Sequence, residues 1–385
     1  MNISHVRELT PVTQEYAYFQ TSGFSPKMDP IIDEAVKWTR FHNAGPAAPG
    51  IHSKVLDLFE EARGKVGKAI NATADEIVLG ENTTIGINIV ANGIDWQPGD
   101  NVILTNHEHP GNRIPWYNFI TRYGVELRFV SVVHDEEQML DEFEQLIDER
   151  TQVASISHVC RRIGQRLPVH RMIEIAHQTD VPVLLDGAQS FGAIPVDVRE
   201  LNCDFYAFSG HKYIMAPQGT GGFYVRPDRI EWLKPSWIGS HSQKDFDLVG
   251  GMELLDEAKR FEFGTRNLAD QIAFGKALDI WEEIGWENVF RYLADYTDRM
   301  KAALLEIPGL VLETPMPYEQ SSGIVTFSLP GHGSLDIHGH LQALGVIVSP
   351  LEKDTAMIRV STHVFNNEND LERLLDGVRQ LVERT

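Results

Sequence analysis

Two stretches near the middle of the chain decide the fold. They are Val181–Ser190, which reads VPVLLDGAQS, and Asp204–Gly222, which reads DFYAFSGHKYIMAPQGTGG. Each begins as an apolar run and ends in polar residues and glycine, with Asp186 closing the first run and Lys212 following the second. Such runs are typical of strands buried on both faces of a sheet. Because ligands of open parallel sheets bind at the carboxyl ends of the strands, we expect Asp186 and Lys212 at one binding edge.

The same pattern continues outward from these stretches. Short apolar runs alternate with amphipathic segments such as Leu140–Ile147 and Val169–His177. This alternation predicts an α/β fold with a mostly parallel sheet. The predicted strands are Asn101–Asn106, Glu126–Val132, Val153–Ser157, Val181–Asp186, Asp204–Ser209 and Gly221–Val225.

The alternation of strand-like and helix-like segments ends after Asn267. We predict a large domain over residues 20–266 and a small α/β domain over residues 267–385, with residues 1–19 packing on the small domain. The predicted elements of the small domain are one long helix over Ile272–Leu304, strands over Ser322–Ser328 and Ala356–Ser361, and a closing helix over Glu368–Val382.

The 385-residue chain is acidic, with 55 Asp and Glu against 34 Lys and Arg and a formal net charge of -21. It lacks the basic footprint that binds nucleic acid or anionic membranes, so we expect neither as a partner. No run approaches the roughly 18 apolar residues of a membrane span. The two cysteines, Cys160 and Cys203, are too few for a disulfide framework. These features together predict a globular cytoplasmic protein.

Lys212 and Asp186 each have an ordinary explanation when taken alone. A lysine is nearly always a solvated surface residue, and an aspartate at the end of a strand often caps the following helix. A lysine placed among small and polar groups at a strand end is also suited to forming a Schiff base. Partial burial and nearby cations lower the pKa of such a lysine and make its amine nucleophilic.

The two motifs together are more specific. DGAQS is followed by SGHK, with the lysine 26 residues after the aspartate. This combination resembles fold-type-I enzymes of the class V aminotransferase family, which use pyridoxal 5'-phosphate (PLP) and include cysteine desulfurases, cysteine/cystine C–S lyases and isopenicillin-N-epimerase-like proteins. The resemblance runs from about Tyr18 to the C-terminus. It implies a large, seven-stranded-type mixed and mostly parallel sheet domain with a small α/β C-terminal domain.

The resemblance also implies roles for residues around the PLP ring. Lys212 would carry PLP as a Schiff base and later act as a proton-transfer base. Asp186 would keep the pyridine nitrogen protonated, which makes the ring an electron sink. Gln189 would hydrogen-bond the phenolic oxygen of the ring. His109, in the segment NHEHPGNRIPW, would stack on the ring and move protons.

A second group of residues matches the phosphate site of the family. Thr83 and Thr84 stand at the start of a predicted helix, where they could also be a simple cap. By resemblance they mark the phosphate-binding turn, together with Ser209 and His211. Thr265, in the segment FEFGTRN, resembles a threonine that reaches the phosphate from the other subunit. This implies a homodimer with shared active sites.

Arginines are the candidates for substrate binding. Arg359, in MIRVSTHVFNNEND, resembles the family arginine that grips the α-carboxylate of an amino-acid substrate. The segment HVCRRIGQ departs from the family, which has a small polar run there, and places Arg162 at the family's asparagine position beside Arg161. Two interpretations are open for this pair: an arginine that points to solvent, and an arginine that binds a substrate carboxylate or retunes the ring. The loops Tyr18–Pro26 and Asn43–Gly50 resemble those that line the substrate pocket.

A second departure concerns sulfur. Desulfurases carry a nucleophilic cysteine shortly before the carboxylate-binding arginine, and Ser349–Arg359 (SPLEKDTAMIR) contains none. Together with GIDWQPGD and HEHPG, which resemble the cysteine/cystine lyases, this favours β-elimination of a cysteine derivative, a C–S lyase acting through an external aldimine and a quinonoid. An aminotransferase or epimerase of the same family is the alternative, followed by a non-catalytic PLP-binding protein. His107 and His109 have no third ligand at a recognisable spacing, so we expect no metal.

Overall fold

The computed structural model describes residues 2–351 and 356–383. Its α-helices are α1 (Ser4–Glu8), α2 (Asp29–Asn43), α3 (Ile51–Lys68), α4 (Thr83–Gly93), α5 (Pro110–Tyr123), α6 (Glu136–Leu146), α7 (Val169–His177), α8 (Val198–Leu201), α9 (Leu268–Ile284), α10 (Trp286–Leu305), α11 (Ser334–Ala343) and α12 (Glu368–Val382). Its strands are β1 (Ala17–Tyr18), β2 (Ile77–Gly80), β3 (Asn101–Thr105), β4 (Glu126–Val130), β5 (Thr151–Ser157), β6 (Val183–Asp186), β7 (Phe205–Ser209), β8 (Gly221–Val225), β9 (Gln243–Phe246), β10 (Met252–Leu254), β11 (Val311–Leu312), β12 (Ile324–Ser328), β13 (Val346–Ile347), β14 (Ser349–Pro350) and β15 (Met357–Ser361).

A seven-stranded sheet forms the centre of the molecule, in the order β2-β8-β7-β6-β5-β3-β4. The five strands from β7 to β4 are parallel, and β8 runs antiparallel to both β7 and β2. Both faces are covered, because Leu184 packs in one apolar cluster with α4 and α5 while its neighbour Leu185 packs in another with α3, α7 and α9. The predicted α/β class with a mixed, mostly parallel sheet is confirmed.

The long helix predicted over Ile272–Leu304 is wrong in one respect. The structure has two helices, α9 and α10, separated by Gly285. Gly285 has a φ of +88°, a left-handed conformation that glycine adopts without steric cost, and its N–H bonds Trp281 O. Apolar residues continue on both sides of this glycine, so their spacing alone suggests one helix.

A smaller antiparallel sheet, in the order β11-β12-β15-β14, forms the C-terminal part of the chain. The N-terminal segment contacts this part, since β1 pairs in parallel with β13 and Arg7 forms an ion pair of 2.7 Å with the buried Asp370. The domain boundary at 267 stays a prediction. The apolar side chains favour a later one, because α9 packs on the large sheet and Tyr296 of α10 is the first helical residue in the smaller core.

Within residues 2–351 and 356–383, none of the helices combines the length and the apolar character needed to cross a bilayer.

Candidate active site

Strands β6 and β7 lie side by side, and their carboxyl ends open into one cavity of about 250 Å³. This cavity is the binding edge that the sequence predicted. Its lining residues are Ser22, Gly23, Phe24, Asn82, Thr83, Thr84, His109, Gly111, Arg161, Asp186, Ala188, Gln189, Ser209, His211, Lys212 and Arg359. The loop predicted over Tyr18–Pro26 thus contributes three of them.

Asp186 ends β6 and is buried, with its Oδ1 accepting a 2.9 Å hydrogen bond from the N–H of Ala188. Burial raises the pKa of this carboxyl, and the positive charge of Lys212 opposes the rise. Gln189 lies one turn further, where its Nε2 donates to Ser22 O at 3.0 Å. The Oε1 of Gln189 is buried without a hydrogen-bond partner. It is therefore an acceptor available to a bound group.

The same cavity is also lined by hydroxyl and backbone donors at the start of α4. The N–H of Thr83 donates to Ser209 Oγ at 3.1 Å, and the two hydroxyl oxygens are 2.7 Å apart. Asn82 caps the helix by accepting from the N–H of Ile85. His211 adds a buried Nδ1 with no hydrogen-bond partner. A helix N-terminus with clustered hydroxyl groups is suited to a phosphate.

Lys212 is half-buried in the cavity wall. Burial lowers its pKa to about 8; Asp186 opposes the shift, and the cations Arg359 and Arg161 add to it. His109 is exposed at the mouth of the cavity, yet the surrounding protein and then the charges of Lys212, Arg161 and Arg359 lower its pKa to about 4. The three cations lower the pKa of His109 in the same direction as desolvation does. His109 is consequently a neutral base at pH 7.

Arg359 lies on β15 and is 6% exposed. Its Nη1 donates to the backbone oxygen of Arg161 at 3.2 Å, and its buried Nε has no hydrogen-bond partner in the part of the chain that the structure describes. Burial and the nearby Arg161 lower the pKa of Arg359 to about 10, so it remains a cation at neutral pH. A deep guanidinium at this position is suited to a carboxylate.

The prediction for Arg162 requires a correction. Arg161 lines the cavity, whereas Arg162 does not and instead directs Nη2 towards Met357 Sδ at 3.7 Å. The two residues follow each other in a turn, so their side chains leave it in different directions. The cavity position that the sequence predicts for Arg162 is therefore occupied by Arg161.

Glu108 is a site residue that sequence reasoning missed. It is 1% exposed and accepts hydrogen bonds from Thr105 Oγ1 (2.7 Å), Asn112 Nδ2 (2.8 Å), and the N–H (2.9 Å) and Oγ (2.6 Å) of Ser157. These bonds tie the His109 loop to the ends of β3 and β5. Burial, followed by the charge of Asp186, raises the pKa of Glu108. A glutamate between two histidines gave no periodic signal that could have identified it.

Thr265 does not lie in the Lys212 cavity of its own chain. It lines a separate cavity of about 540 Å³, together with Asn43 and Pro46 of the predicted loop Asn43–Gly50. The predicted contribution of Thr265 to a phosphate site therefore requires another subunit.

Both cysteines are buried and free. Burial raises the pKa of Cys160 to about 11, and its Sγ lies 3.3 Å from Nδ1 of His107. Cys203 is fully buried, which raises the pKa of its thiol as well. Residues 352–355 of the cysteine-free segment Ser349–Arg359 lie outside the described residues. Neither thiol has the lowered pKa of a nucleophilic cysteine.

The residues of the cavity fit PLP, the cofactor that the resemblance implies. The lining offers hydroxyl groups and a helix N-terminus for a phosphate, and a buried carboxylate for a protonated ring nitrogen. The buried acceptor of Gln189 and the buried Nδ1 of His211 have no hydrogen-bond partner among the described residues. Such buried polar atoms are costly unless something bonds them.

The sequence matches the aminotransferase class-V family over residues 17–374. The chain belongs to this family. A cysteine desulfurase from Pectobacterium atrosepticum is 32% identical and covers 96% of this chain and 93% of the relative. The predicted family is thus confirmed.

Solved structures of family members have the same fold. A cysteine desulfurase from Thermococcus onnurineus NA1, solved without cofactor, has a TM-score of 0.90 at 28% identity and covers 99% of this chain and 98% of that chain. The cystine C–S lyase C-DES, solved with its product cysteine persulfide, has a TM-score of 0.90 at 24% identity over 96% of this chain and 99% of that chain. A C-DES variant carries glycine covalently linked to its PLP cofactor. At 24% identity, C-DES supports the fold alone.

Proposed function

We propose that this chain binds PLP and cleaves the C–S bond of a cysteine derivative by β-elimination. The observation that carries the proposal is the convergence of Lys212, Asp186 and Arg359 on one cavity that is also lined by the hydroxyl groups and the helix N-terminus suited to a phosphate. The relatives named cysteine desulfurase share a substrate class with this reaction. The products are a thiol, pyruvate and ammonia.

Each of four residues of the site has a separate role in this reaction. When bound, PLP supplies an electron sink for the charge that develops at Cα of the substrate. Asp186 holds a proton on the ring nitrogen by charge pairing, and Arg359 orients the substrate through its α-carboxylate. Lys212, with a pKa of about 8, is matched to accept and return a proton near neutral pH. Because His109 is neutral, it can give a proton to the departing sulfur only while its other ring nitrogen takes one up, and Lys212, once it has accepted the Cα proton, is the group that can supply it.

A β-elimination lyase fits this chain better than a persulfide-forming desulfurase. A desulfurase needs a thiolate at the substrate, and the high pKa of the buried Cys160 disfavours that form. Cys203 lies in the buried core, just before the start of β7, and does not line the cavity. β-Elimination requires no protein thiol, because the leaving sulfur needs only a proton.

We also propose a cytoplasmic homodimer that shares its active sites. Support comes from Thr265, which lines a cavity apart from Lys212, and from exposed apolar side chains between β9 and β10. Gly264 N bonds Ser240 O at 3.0 Å, which joins the Thr265 segment to the region of β9 and β10. Leu248 and Val249, between these two strands, are fully exposed. Exposed apolar side chains concentrated in one region are typical of an interface.

The test is turnover of S-substituted cysteines by purified protein loaded with PLP, without any added keto acid. We expect thiol and pyruvate in equal amounts, and loss of both in Lys212→Ala. Cys160→Ser and Cys203→Ser are matched variants that should retain thiol release. Transamination without thiol release would contradict the lyase, and loss of turnover in Cys160→Ser with the fold intact would favour a desulfurase.

A further inference from the structure

The main chain around Lys212 is held from outside on both sides of the lysine. On the preceding side, the backbone oxygen of His211 accepts a hydrogen bond from Ser25 N at 3.3 Å. On the following side, the backbone oxygen of Tyr213 lies 2.8 Å from Nε2 of His363. The contact from His363 is the shorter of the two, and it comes from the C-terminal part of the chain.

The position of the hydrogen on the His363 ring follows from its two partners. A carbonyl oxygen only accepts, so Nε2, which faces Tyr213 O, carries the hydrogen. A backbone amide only donates, so Nδ1 accepts from Val364 N at 2.9 Å. Burial lowers the pKa of His363 to about 4, and the bond to Tyr213 O opposes the shift. At neutral pH His363 is therefore an uncharged ring with one fixed donor.

Aromatic rings hold this donor in its orientation. His363 is fully buried and stacks on Phe365, with centroids 5.0 Å apart and 10° between the planes, and on Tyr213, at 5.9 Å and 19°. Trp281 packs against it at 5.4 Å between centroids. A ring that its neighbours already immobilise loses little further rotamer entropy when it donates a hydrogen bond.

The turn that follows Lys212 depends on donors from other elements. Met215 N bonds Lys212 O at 2.9 Å, and Met215 has a φ of +60°. This left-handed conformation is disfavoured for a residue with a side chain. Trp281 Nε1 donates to Ile214 O at 2.8 Å and supports the same turn. Because the local preference of the chain opposes the turn, the surrounding structure has to maintain its shape.

His363 also connects Lys212 to the strand that carries Arg359. It stands two residues after the end of β15 and four residues after Arg359. Thr362, the residue before it, is itself held, because Thr362 N bonds Gly323 O at 2.8 Å. One short connection thus fixes the carboxylate-binding arginine and the lysine of the proposed function relative to each other.

We propose that His363 is a positioning residue for Lys212. By holding Tyr213 O, it sets the place from which the Lys212 amine meets the cofactor aldehyde and then a substrate bound to Arg359. His363 is not among the described residues that line the cavity, so it acts through the main chain. The inference rests on the proposed function, which assigns Lys212 to PLP.

The test separates capture of the cofactor by Lys212 from binding of the cofactor. In capture, the amine nitrogen forms a C=N bond to the aldehyde carbon of PLP and one water leaves, which stopped-flow absorbance follows. Pyridoxine 5'-phosphate has an alcohol in place of the aldehyde and reports binding alone. Cofactor-free full-length protein is used at a fixed pH above about 8, where most of Lys212 is uncharged. The Tm shows whether each variant is folded.

His363→Leu removes the donor and should slow capture about ten- to a hundredfold, because a small displacement of a reacting group has a large effect on rate. The Kd of pyridoxine 5'-phosphate should stay within about twofold of the wild type. His363→Gln keeps an amide donor at a similar reach and should bring capture to within about threefold of the wild type.

Tyr296→Phe is the matched control. It removes another 2.8 Å bond from a buried ring to a backbone oxygen, that of Asn367, and should leave capture unchanged. Where His363→Leu does not fold, His363→Asn takes its place. The amide of asparagine matches Nδ1 rather than Nε2 and ends short of Tyr213 O, so capture should again be slower than in His363→Gln.

Three results would overturn the inference. One is capture at the wild-type rate by folded His363→Leu. Another is equal weakening of capture and of pyridoxine 5'-phosphate binding, which would make His363 a general support of the cavity. The third is equal capture by His363→Asn and His363→Gln.

The proposed function fails separately. Capture of PLP by Lys212→Ala at the wild-type rate would contradict the assignment of Lys212, whatever the His363 variants do. Slow capture in His363→Leu with normal binding of pyridoxine 5'-phosphate, but no thiol release by the wild type from any S-substituted cysteine, would contradict the lyase and support the role of His363.

Discussion

At the scale of single residues, burial and the neighbouring charges in the cavity set the pKa of the Lys212 amine. Its neighbours act in opposite directions, since Asp186 raises the pKa of the amine while Arg359 and Arg161 lower it. Burial comes first and brings the pKa to about 8. The ordinary pKa of a lysine is about 10.4. A substantial fraction of Lys212 is therefore an uncharged nucleophile near neutral pH.

This shift predicts the pH dependence of cofactor capture. Only the neutral amine attacks an aldehyde, so the rate at which the cofactor-free protein takes up PLP should rise as the pH rises through about 8 and level off above it. Arg161→Gln removes a cation that lowers this pKa and should move the midpoint to higher pH. Asp186→Asn removes a charge that raises it and should move the midpoint to lower pH. Stopped-flow absorbance measures the rate, and a wild-type midpoint near about 10.4 would contradict the prediction.

Some residues of the site can be predicted from the sequence, and others cannot. Lys212 and Asp186 were placed correctly in one cavity because each follows a strand that the apolar pattern identifies. Arg161 and Arg162 could not be separated, because side-chain direction in an irregular turn has no period. Glu108 was missed since its role depends on donors from Thr105 and Ser157, which come from separate strands.

At the scale of elements, the turn at Cys160–Gln165 is held against β12. Gly164 has a φ of +72°, and a Cβ there would lie 2.2 Å from Ile324 O. Two separate penalties apply to any other residue: the left-handed backbone and a collision with a main-chain atom.

We expect Gly164→Ala to lower the free energy of unfolding by about 2–5 kcal/mol. Gly309→Ala is the matched control, because Gly309 has a φ of +78° with open space around its Cβ position. It should cost only the backbone term, about 1–2 kcal/mol. Urea denaturation measures both, and equal losses would mean that the turn moves away from β12 at little cost.

Helix α3 contains a buried arginine, Arg63, that connects it to neighbouring elements. Its guanidinium is ion-paired with Glu262, which is also buried, and with the half-exposed Glu60. Glu262 accepts from the N–H of Leu79 as well, so one carboxylate ties α3 to β2 and to the segment that leads to Thr265.

Removing the two carboxylates in turn should have unequal effects. Glu262→Ala leaves the charge of Arg63 buried without its main partner and should cost about 3–5 kcal/mol of unfolding free energy. Glu60→Ala removes a partly solvated partner and should cost at most about 1 kcal/mol. Guanidinium denaturation at constant ionic strength compares them. Similar losses would show that water reaches Arg63 when Glu262 is absent.

Elements were predicted best where one physical signal dominated. Val169–His177 and Gly221–Val225 match their predicted bounds, because an amphipathic run has the helical period and a short apolar run bounded by turn residues is typical of a buried strand. Strand β2 was missed, since its four residues, Ile77–Gly80, are too few to show a pattern. The pairing of β2 with β8 depends on residues far apart in the chain, which periodicity does not report.

At the scale of the whole molecule, the proposed dimer makes a prediction about mixed subunits. Lys212→Ala and Thr265→Ala should each be impaired as homodimers. When the two are unfolded and refolded together, random pairing should restore function to about a quarter of the sites, because one site of each hybrid dimer contains both intact residues. The assay is thiol release normalised to protein.

The alternative outcome is equally informative. If Thr265 acted within its own chain, both sites of every hybrid would lack one residue and no activity would return. Refolding each variant alone gives the baseline, and refolded wild type gives the recovery expected of the procedure.

The residues that line the cavity are spread over almost the whole chain, and this determines when the cavity can form during translation. Its lining begins at Ser22 and ends at Arg359, and Ser22 N bonds Ser361 Oγ at 3.0 Å. When β6 and β7 have emerged from the ribosome, Lys212 follows shortly after them, but Arg359 has not yet been synthesised and the cavity is incomplete. Because domains fold as they emerge during translation, the sheet can form before the pocket does. Finished chains, and not nascent ones, are the species that can select the cofactor.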